Sequence, residues 1–121
     1  MDQSFGKSEK LKKRADIGML FEKGKSFKAF PVKLVYYPLP DIPNHQAGFS
    51  VPRRNFKNAV DRNRLKRQLR ESYRLNKHLL KNLPEHYGLM LIYIGKEKKD
   101  FDCIFTSVGK LLNKLTKSTV L

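Results

Sequence analysis

Apolar residues fall into periodic blocks separated by polar and proline-rich stretches, and the blocks differ in period. Over residues 14–23, Ile17, Leu20 and Phe21 recur at i, i+3 and i+4, the spacing of one helix face, and Gly24 follows where a left-handed C-terminal cap would sit. Phe27, Phe30 and the alternating run 32–37 are rich in β-branched and aromatic residues and predict strands. Pro38, Pro40 and Pro43, with Asp41 and Asn44 between them, mark a surface loop. The short apolar segment 47–51 is then expected to return antiparallel to the run 32–37, as a hairpin with a long connection. Asn58 is a candidate helix N-cap, with Asp61 in the first turn where a carboxylate suits the helix dipole, and a long helix is expected over 59–81. Pro84 lies beyond its end. Residues 87–94 are apolar on both alternating faces, the pattern of a buried interior strand, and Gly95 closes it. Phe101, Phe105, Val108, Leu112 and Leu115 recur at helical spacing behind Asp100 or Asp102 as cap. The order αβββαβα predicts an α+β fold, a single-domain α-β sandwich in which helices pack on a four-stranded sheet. The strand at 87–94 must join the earlier ones, because an isolated strand is not stable.

Residues 1–13 are polar and basic without apolar periodicity, so they are expected to form a flexible arm ahead of one domain over 14–121. The 121 residues suffice for one core and not for two. Lys and Arg number 26 against 11 Asp and Glu, a formal charge of +15 that a polyanion would neutralise, which narrows the partners to nucleic acid or an anionic membrane. No apolar run approaches the roughly 20 residues of a membrane span, and the N-terminus lacks a signal peptide's apolar stretch, so a cytoplasmic location is expected. Cys103 is alone and reads as a small buried hydrophobe rather than half of a disulfide or metal cluster. His45, His78 and His86 are scattered without metal-ligand spacing and read as surface or loop residues.

The charge is concentrated. Between Arg53 and Lys77 stand ten basic residues and two acids, Asp61 and Glu71, too lopsided for salt-bridge lacing. Seven of the ten are Arg, whose planar fork suits bidentate phosphate contact and stacking on bases. At about 100° per residue, Leu65, Leu69, Tyr73 and Asn76 share the arc that can pack on a sheet. Arg62, Lys66 and Arg70 lie beside that arc, whereas Arg64 projects almost opposite it. A membrane-bound helix would need its apolar arc exposed, but here the core claims it. A DNA-reading helix would sit in a major groove, which a helix tied to a sheet does poorly. An ordinary charge run is a solvated face; this density favours RNA.

The residues Lys57, Ala59, the run Arg62-Asn63-Arg64-Leu65-Lys66-Arg67 and then Arg70-Glu71-Ser72-Tyr73-Arg74 resemble the signature of the bacterial ribonuclease P protein family. The flanks match in order: a basic N-terminus, the Phe21 helix, Lys25-Ser26-Phe27, and Gly48-Phe49-Ser50-Val51. The resemblance implies a basic helix joining two parallel strands by a left-handed βαβ crossover, where general topology would favour a right-handed one. It also implies a small subunit that assists a catalytic RNA in removing the 5′ leader from precursor tRNA. Mapped onto this sequence, Phe21, Tyr36, Arg62, Asn63, Lys66 and Arg70 would hold the single-stranded leader. Arg53, Arg54, Lys57, Arg64 and Arg67 would meet ribonuclease P RNA. Ile17 stands where the family usually has a second aromatic. Phe21 could equally be plain core, and Tyr73 reads as core.

Nothing resembles a self-sufficient nuclease. Asp16, Asp61, Asp100 and Asp102 are dispersed, whereas metal-dependent hydrolysis needs clustered carboxylates. No catalytic or metal-binding protein residue is therefore expected, and bond breaking falls to the RNA partner and its Mg²⁺. The rival reading is a non-enzymatic RNA-binding protein, such as a ribosomal protein or RNA chaperone.

Overall fold

The computed structural model of the chain describes residues 5–81 and 83–119. Its elements are α1 (Arg14–Lys23), β1 (Lys25–Ala29), β2 (Val32–Pro38), β3 (Gln46–Ser50), α2 (Ala59–Asn76), β4 (Tyr87–Tyr93) and α3 (Phe101–Thr119), with a short 3-10 turn at Lys7–Glu9 and another at Lys77–Leu80 extending α2. This is the expected αβββαβα order. The Asn58 side chain accepts the Val60 N–H at 2.9 Å and so starts α2. Of the two candidate caps for α3 it is Asp100 that accepts an N–H, from Cys103 at 2.9 Å.

The four strands form one sheet in the order β1-β2-β4-β3. β1 and β2 are an antiparallel hairpin, with a cis Phe30–Pro31 peptide in its turn. β2 runs antiparallel to β4, Val32 opposite Tyr93 and Pro38 opposite Tyr87. β3 pairs parallel with β4, Gln46 opposite Gly88 and Ser50 opposite Ile92. The expected hairpin between 32–37 and 47–51 is therefore incorrect. β3 does run opposite to β2 in direction, but β4 lies between them. The cause is β4 itself: a strand apolar on both faces is best buried with a neighbour on each side, and the half-exposed β3 takes the edge.

Side chains alternate between two apolar layers. On one face Val32, Leu34, Tyr36, Ala47, Leu89, Leu91 and Tyr93 meet Leu65, Leu69 and Tyr73 of α2 and Ile104, Val108, Leu111, Leu112 and Leu115 of α3. On the other, Val35 and Met90 meet Leu20 of α1 with Leu11, Leu39 and Ile42. α2 lies over β3 and β4, and α3 over β1 and β2. Asn76, buried between the two helices, donates to the carbonyls of Ser72 (2.9 Å) and Phe105 (3.3 Å).

Gly24 ends α1, but not in the left-handed conformation expected of it: its φ is −69° and its ψ 156°, ordinary extended backbone. A Cβ there would stand 2.2 Å from the Leu20 carbonyl oxygen and 3.0 Å from that of Tyr36. Close approach, not handedness, calls for glycine here. Of the expected N-terminal arm, residues 1–4 lie outside the described residues. The next ones are docked: Phe5 packs edge-on against Phe49 and Tyr73, the Leu11 N–H donates to the Ala47 carbonyl at 3.0 Å, and Lys77 pairs with Glu9 at 2.8 Å. Phe5 and Leu11, an apolar pair too widely spaced to register as periodicity, cover the open edge of β3. Cys103 is half-buried in α3.

Candidate nucleic-acid interface

The connection from β3 to α2 is pinned at both ends by buried residues, Val51 and Phe56, the latter edge-on to Tyr93 at 5.7 Å. Between and just after them Arg53, Arg54 and Lys57 are exposed. Arg62, one turn into α2, folds back over this loop. Its Nη1 donates to the carbonyls of Phe56 (2.7 Å) and Lys57 (2.9 Å). Two charge-assisted bonds to consecutive carbonyls hold the loop against the helix. The structure thus gives Arg62 a positioning task that its place on the helical wheel did not reveal.

Leu65, Leu69, Tyr73 and Asn76 are buried as the wheel predicts. Asn63, Arg64, Lys66, Arg67 and Arg70 are exposed, and among the described residues none of their side chains has a hydrogen bond or ion pair. Both acids of α2 are already paired, one with Lys98 and the other with Arg74 of the same helix. Asp61 pairs with Lys98 at 3.2 Å. Glu71 accepts the Arg74 Nε at 3.2 Å within an ion pair, and that hydrogen bond holds the Glu71 carboxyl below its ordinary range. The basic surface of α2 and its leading loop is therefore uncompensated.

The proposed leader-binding residues do not converge on one cleft. Phe21 is not core: it is 57% exposed on α1, which packs on the face of the sheet opposite α2. Tyr36 belongs to the main core face, is 7% exposed, and has Phe27 stacked on its ring at 5.3 Å. The aromatic of β2 that shares the α1 side is Tyr37, half-buried near Ile17. The sequence does not disclose this parity, because Leu34/Tyr36 and Val35/Tyr37 are both apolar pairs. Ile17 itself packs into the α1 layer.

Histidines at the far end of the sheet have a structural task. His45 Nδ1 accepts the Tyr87 N–H at 3.0 Å and its Nε2 lies 3.3 Å from the Leu80 carbonyl, so the neutral Nε2–H ring ties three segments together. Burial lowers its pKa, with a further push from His86. His86 Nδ1 lies 2.9 Å from the Ile42 carbonyl. Among the described residues no three His, Cys, Asp or Glu side chains are grouped to hold a metal ion, and no helix is long and apolar enough to cross a membrane.

Comparison with known proteins shows the family and the fold. The family model described as Ribonuclease P matches residues 5–116. The ribonuclease P protein component of Porphyromonas gingivalis is 34% identical over 118 residues, covering 90% of this chain and 84% of the relative. That of Chlorobium phaeobacteroides is 35% identical, covering 95% and 90%. The ribonuclease P protein structure from Thermotoga maritima superposes with a TM-score of 0.72 at 27% identity, covering 88% of this chain and 96% of that one. A signature on an uncompensated basic helix, a match over nearly the whole chain and a shared fold together place this chain in the ribonuclease P protein family.

Proposed function

We propose that this chain, as the protein subunit of ribonuclease P, binds the catalytic RNA through the β3–α2 loop and the outer face of α2 and guides the 5′ leader of precursor tRNA for cleavage by that RNA. The observation that carries this reading is the row of exposed, unpaired Asn63, Arg64, Lys66, Arg67 and Arg70 beside Arg53, Arg54 and Lys57. Arg64 and Arg67, with the loop residues, meet ribonuclease P RNA, and Arg62 keeps the loop in position. Asn63, Lys66 and Arg70 form a stripe at helical spacing that takes phosphates. Phe21, exposed on α1, offers a ring on which an unpaired leader base stacks. Tyr36, covered by Phe27, contributes through packing instead.

Hydrolysis belongs to the RNA and its Mg²⁺. The carboxylates Glu9, Asp61 and Glu71 are each paired with a cation, and among the described residues no three His, Cys, Asp or Glu side chains are grouped as metal-assisted hydrolysis would need. The protein supplies phosphate neutralisation and orientation, which lower the Mg²⁺ needed and tighten substrate binding. A cytoplasmic location goes with that work. Reconstitution with the ribonuclease P RNA of its source, assayed on precursor tRNA at low Mg²⁺, is expected to show strong stimulation by the protein. Cleavage at the same rate with and without it would overturn the proposal.

A further inference from the structure

A second basic surface lies on the sheet edge farthest from α2, apart from the arginine-rich run of that helix. α3 carries no acid after Asp102, yet Lys110, Lys114 and Lys117 recur at i, i+4 and i+7 along one face. With Lys28 of β1 and Asn113 they line an open groove of about 480 Å³. Beyond it, at the end of the sheet, a cavity of about 320 Å³ is bounded by Lys23, Lys25, Tyr36, Tyr37, Tyr87 and Ser118 among others. Phe27 links the two: the Lys114 ammonium stands 5.5 Å from its ring centroid, while its ring stacks on Tyr36, itself edge-on to Tyr87. Among the described residues no carboxylate lines either hollow, and none of these six lysines has an ion pair.

Protection of an edge strand explains lysines on β1, since charge there discourages pairing with another chain. It does not explain three more on a helix, or a hollow lined by tyrosines. Burial raises the Tyr87 pKa, so its hydroxyl keeps its proton. Tyr36 and Tyr87 are buried, so the ring open to a base in this hollow is that of the half-buried Tyr37. Point charges for phosphates beside such a ring suit single-strand binding, and a duplex, with its bases stacked inside, would have no use for it. The cavity also begins at Lys23, two residues beyond the exposed Phe21 on the same helix.

We propose that the β1–α3 groove and the adjoining tyrosine cavity form a track for single-stranded RNA, which receives the upstream part of a long 5′ leader after it has passed Phe21. This rests on the reading of the chain as a leader-guiding ribonuclease P subunit. The track lies across the sheet from α2, so it can be filled while α2 holds the catalytic RNA.

The test uses holoenzyme assembled from the RNA subunit and either the wild-type protein or the K110A/K114A/K117A variant. Affinity is measured for two precursor tRNAs, one with a short leader and one with a leader extended well upstream. For three lost single-strand phosphate contacts, the variant should bind the long-leader substrate about tenfold more weakly, with a salt slope shallower by roughly 2. Short-leader affinity, cleavage and assembly with the RNA subunit should be unchanged. Lys→Arg at the three positions should restore long-leader binding. Equal affinity of variant and wild type for the long leader, or an equal loss on both substrates, overturns the track, as does a wild-type enzyme indifferent to leader length. Failure of the underlying reading would look different: no stimulation of cleavage by the wild-type protein on either substrate.

Discussion

Arg62 illustrates how one side chain sets what its neighbours can do. Its two bonds to the Phe56 and Lys57 carbonyls give the basic loop a fixed geometry before RNA arrives. Arg62→Ala is expected to cost about 1–2 kcal/mol of stability, since bonds to a charged donor are strong but one of these is part-buried and the other exposed. It should weaken RNA-subunit binding by more than loss of a solvent-facing arginine, and Arg62→Lys, with charge but no fork, should rescue only partly. Thermal unfolding and RNA titration check both; binding restored fully by lysine would mean that charge alone matters. The glycine inside α1 and the one that ends it make a matched pair. A Cβ at Gly18 meets nothing within 4 Å, whereas one at Gly24 runs into backbone oxygens. Gly18→Ala should therefore stabilise by about 0.5–1 kcal/mol, and Gly24→Ala should destabilise by roughly 1–3 kcal/mol, both read from denaturant midpoints. His45 adds a pH dependence. Its folded pKa lies below the ordinary 6.5 because burial disfavours the imidazolium. On acidification the unfolded chain takes up this proton first, so the stability His45 contributes is complete above about pH 6.5 and is lost as pH falls through its lowered folded value. The melting temperature should drop between neutral pH and pH about 5.5, with a smaller drop in His45→Asn, which can still accept the Tyr87 N–H. An identical drop in the variant would assign the effect elsewhere.

At the scale of elements, α2 organises the molecule. Its cap, buried arc and basic face were all legible in the sequence because helix signals are local: Asn58, the 3.6-residue period of Leu65, Leu69 and Tyr73, and the charge between them lie within one short stretch. Asn58→Ala should accordingly cost about 1 kcal/mol. β4 was legible as an interior strand for the same reason, its apolar run being continuous. Its insertion between β2 and β3 was not, because strand order is decided by which pairings bury most surface across the whole chain, and a local pattern carries direction and burial but no address. The parity of β2 failed similarly: with both of its faces apolar, nothing nearby says that Tyr37 and not Tyr36 faces the α1 side. The docking of Phe5 onto Phe49 and Tyr73 depends on residues more than forty positions apart, invisible to a search for periodicity. The same holds for the candidate site. The basic residues of α2 were recognisable individually, but the task of Arg62 exists only once the β3–α2 loop folds against the helix, the separation of Phe21 from α2 only once the sheet stands between α1 and α2, and the lysine groove only once β1 and α3 lie side by side.

The molecule as a whole carries a formal net charge of +15 with three ion pairs among the described residues, and its two basic surfaces lie over opposite edges of one sheet. Crowded like charges oppose the folded state, while the same charges draw in RNA. Added salt acts on both, with opposite signs. At low ionic strength the repulsion reaches across the domain; near 0.1 M the Debye length is about 10 Å, and most pairs of lysines on opposite edges no longer interact. The free protein should therefore melt at a higher temperature as salt is raised from about 10 to 200 mM, because screening removes more repulsion than the three ion pairs contribute. Over the same range its affinity for the RNA subunit should fall steeply, since each phosphate contact releases a condensed counterion. Arg64→Ala with Arg67→Ala should flatten the second dependence by nearly 2 in the log–log slope and leave the first almost intact, because two charges in fifteen change self-repulsion little. A free protein destabilised by salt would mean that its ion pairs outweigh its net charge. An unaltered slope in the double variant would mean that the outer face of α2 does not meet the RNA phosphates.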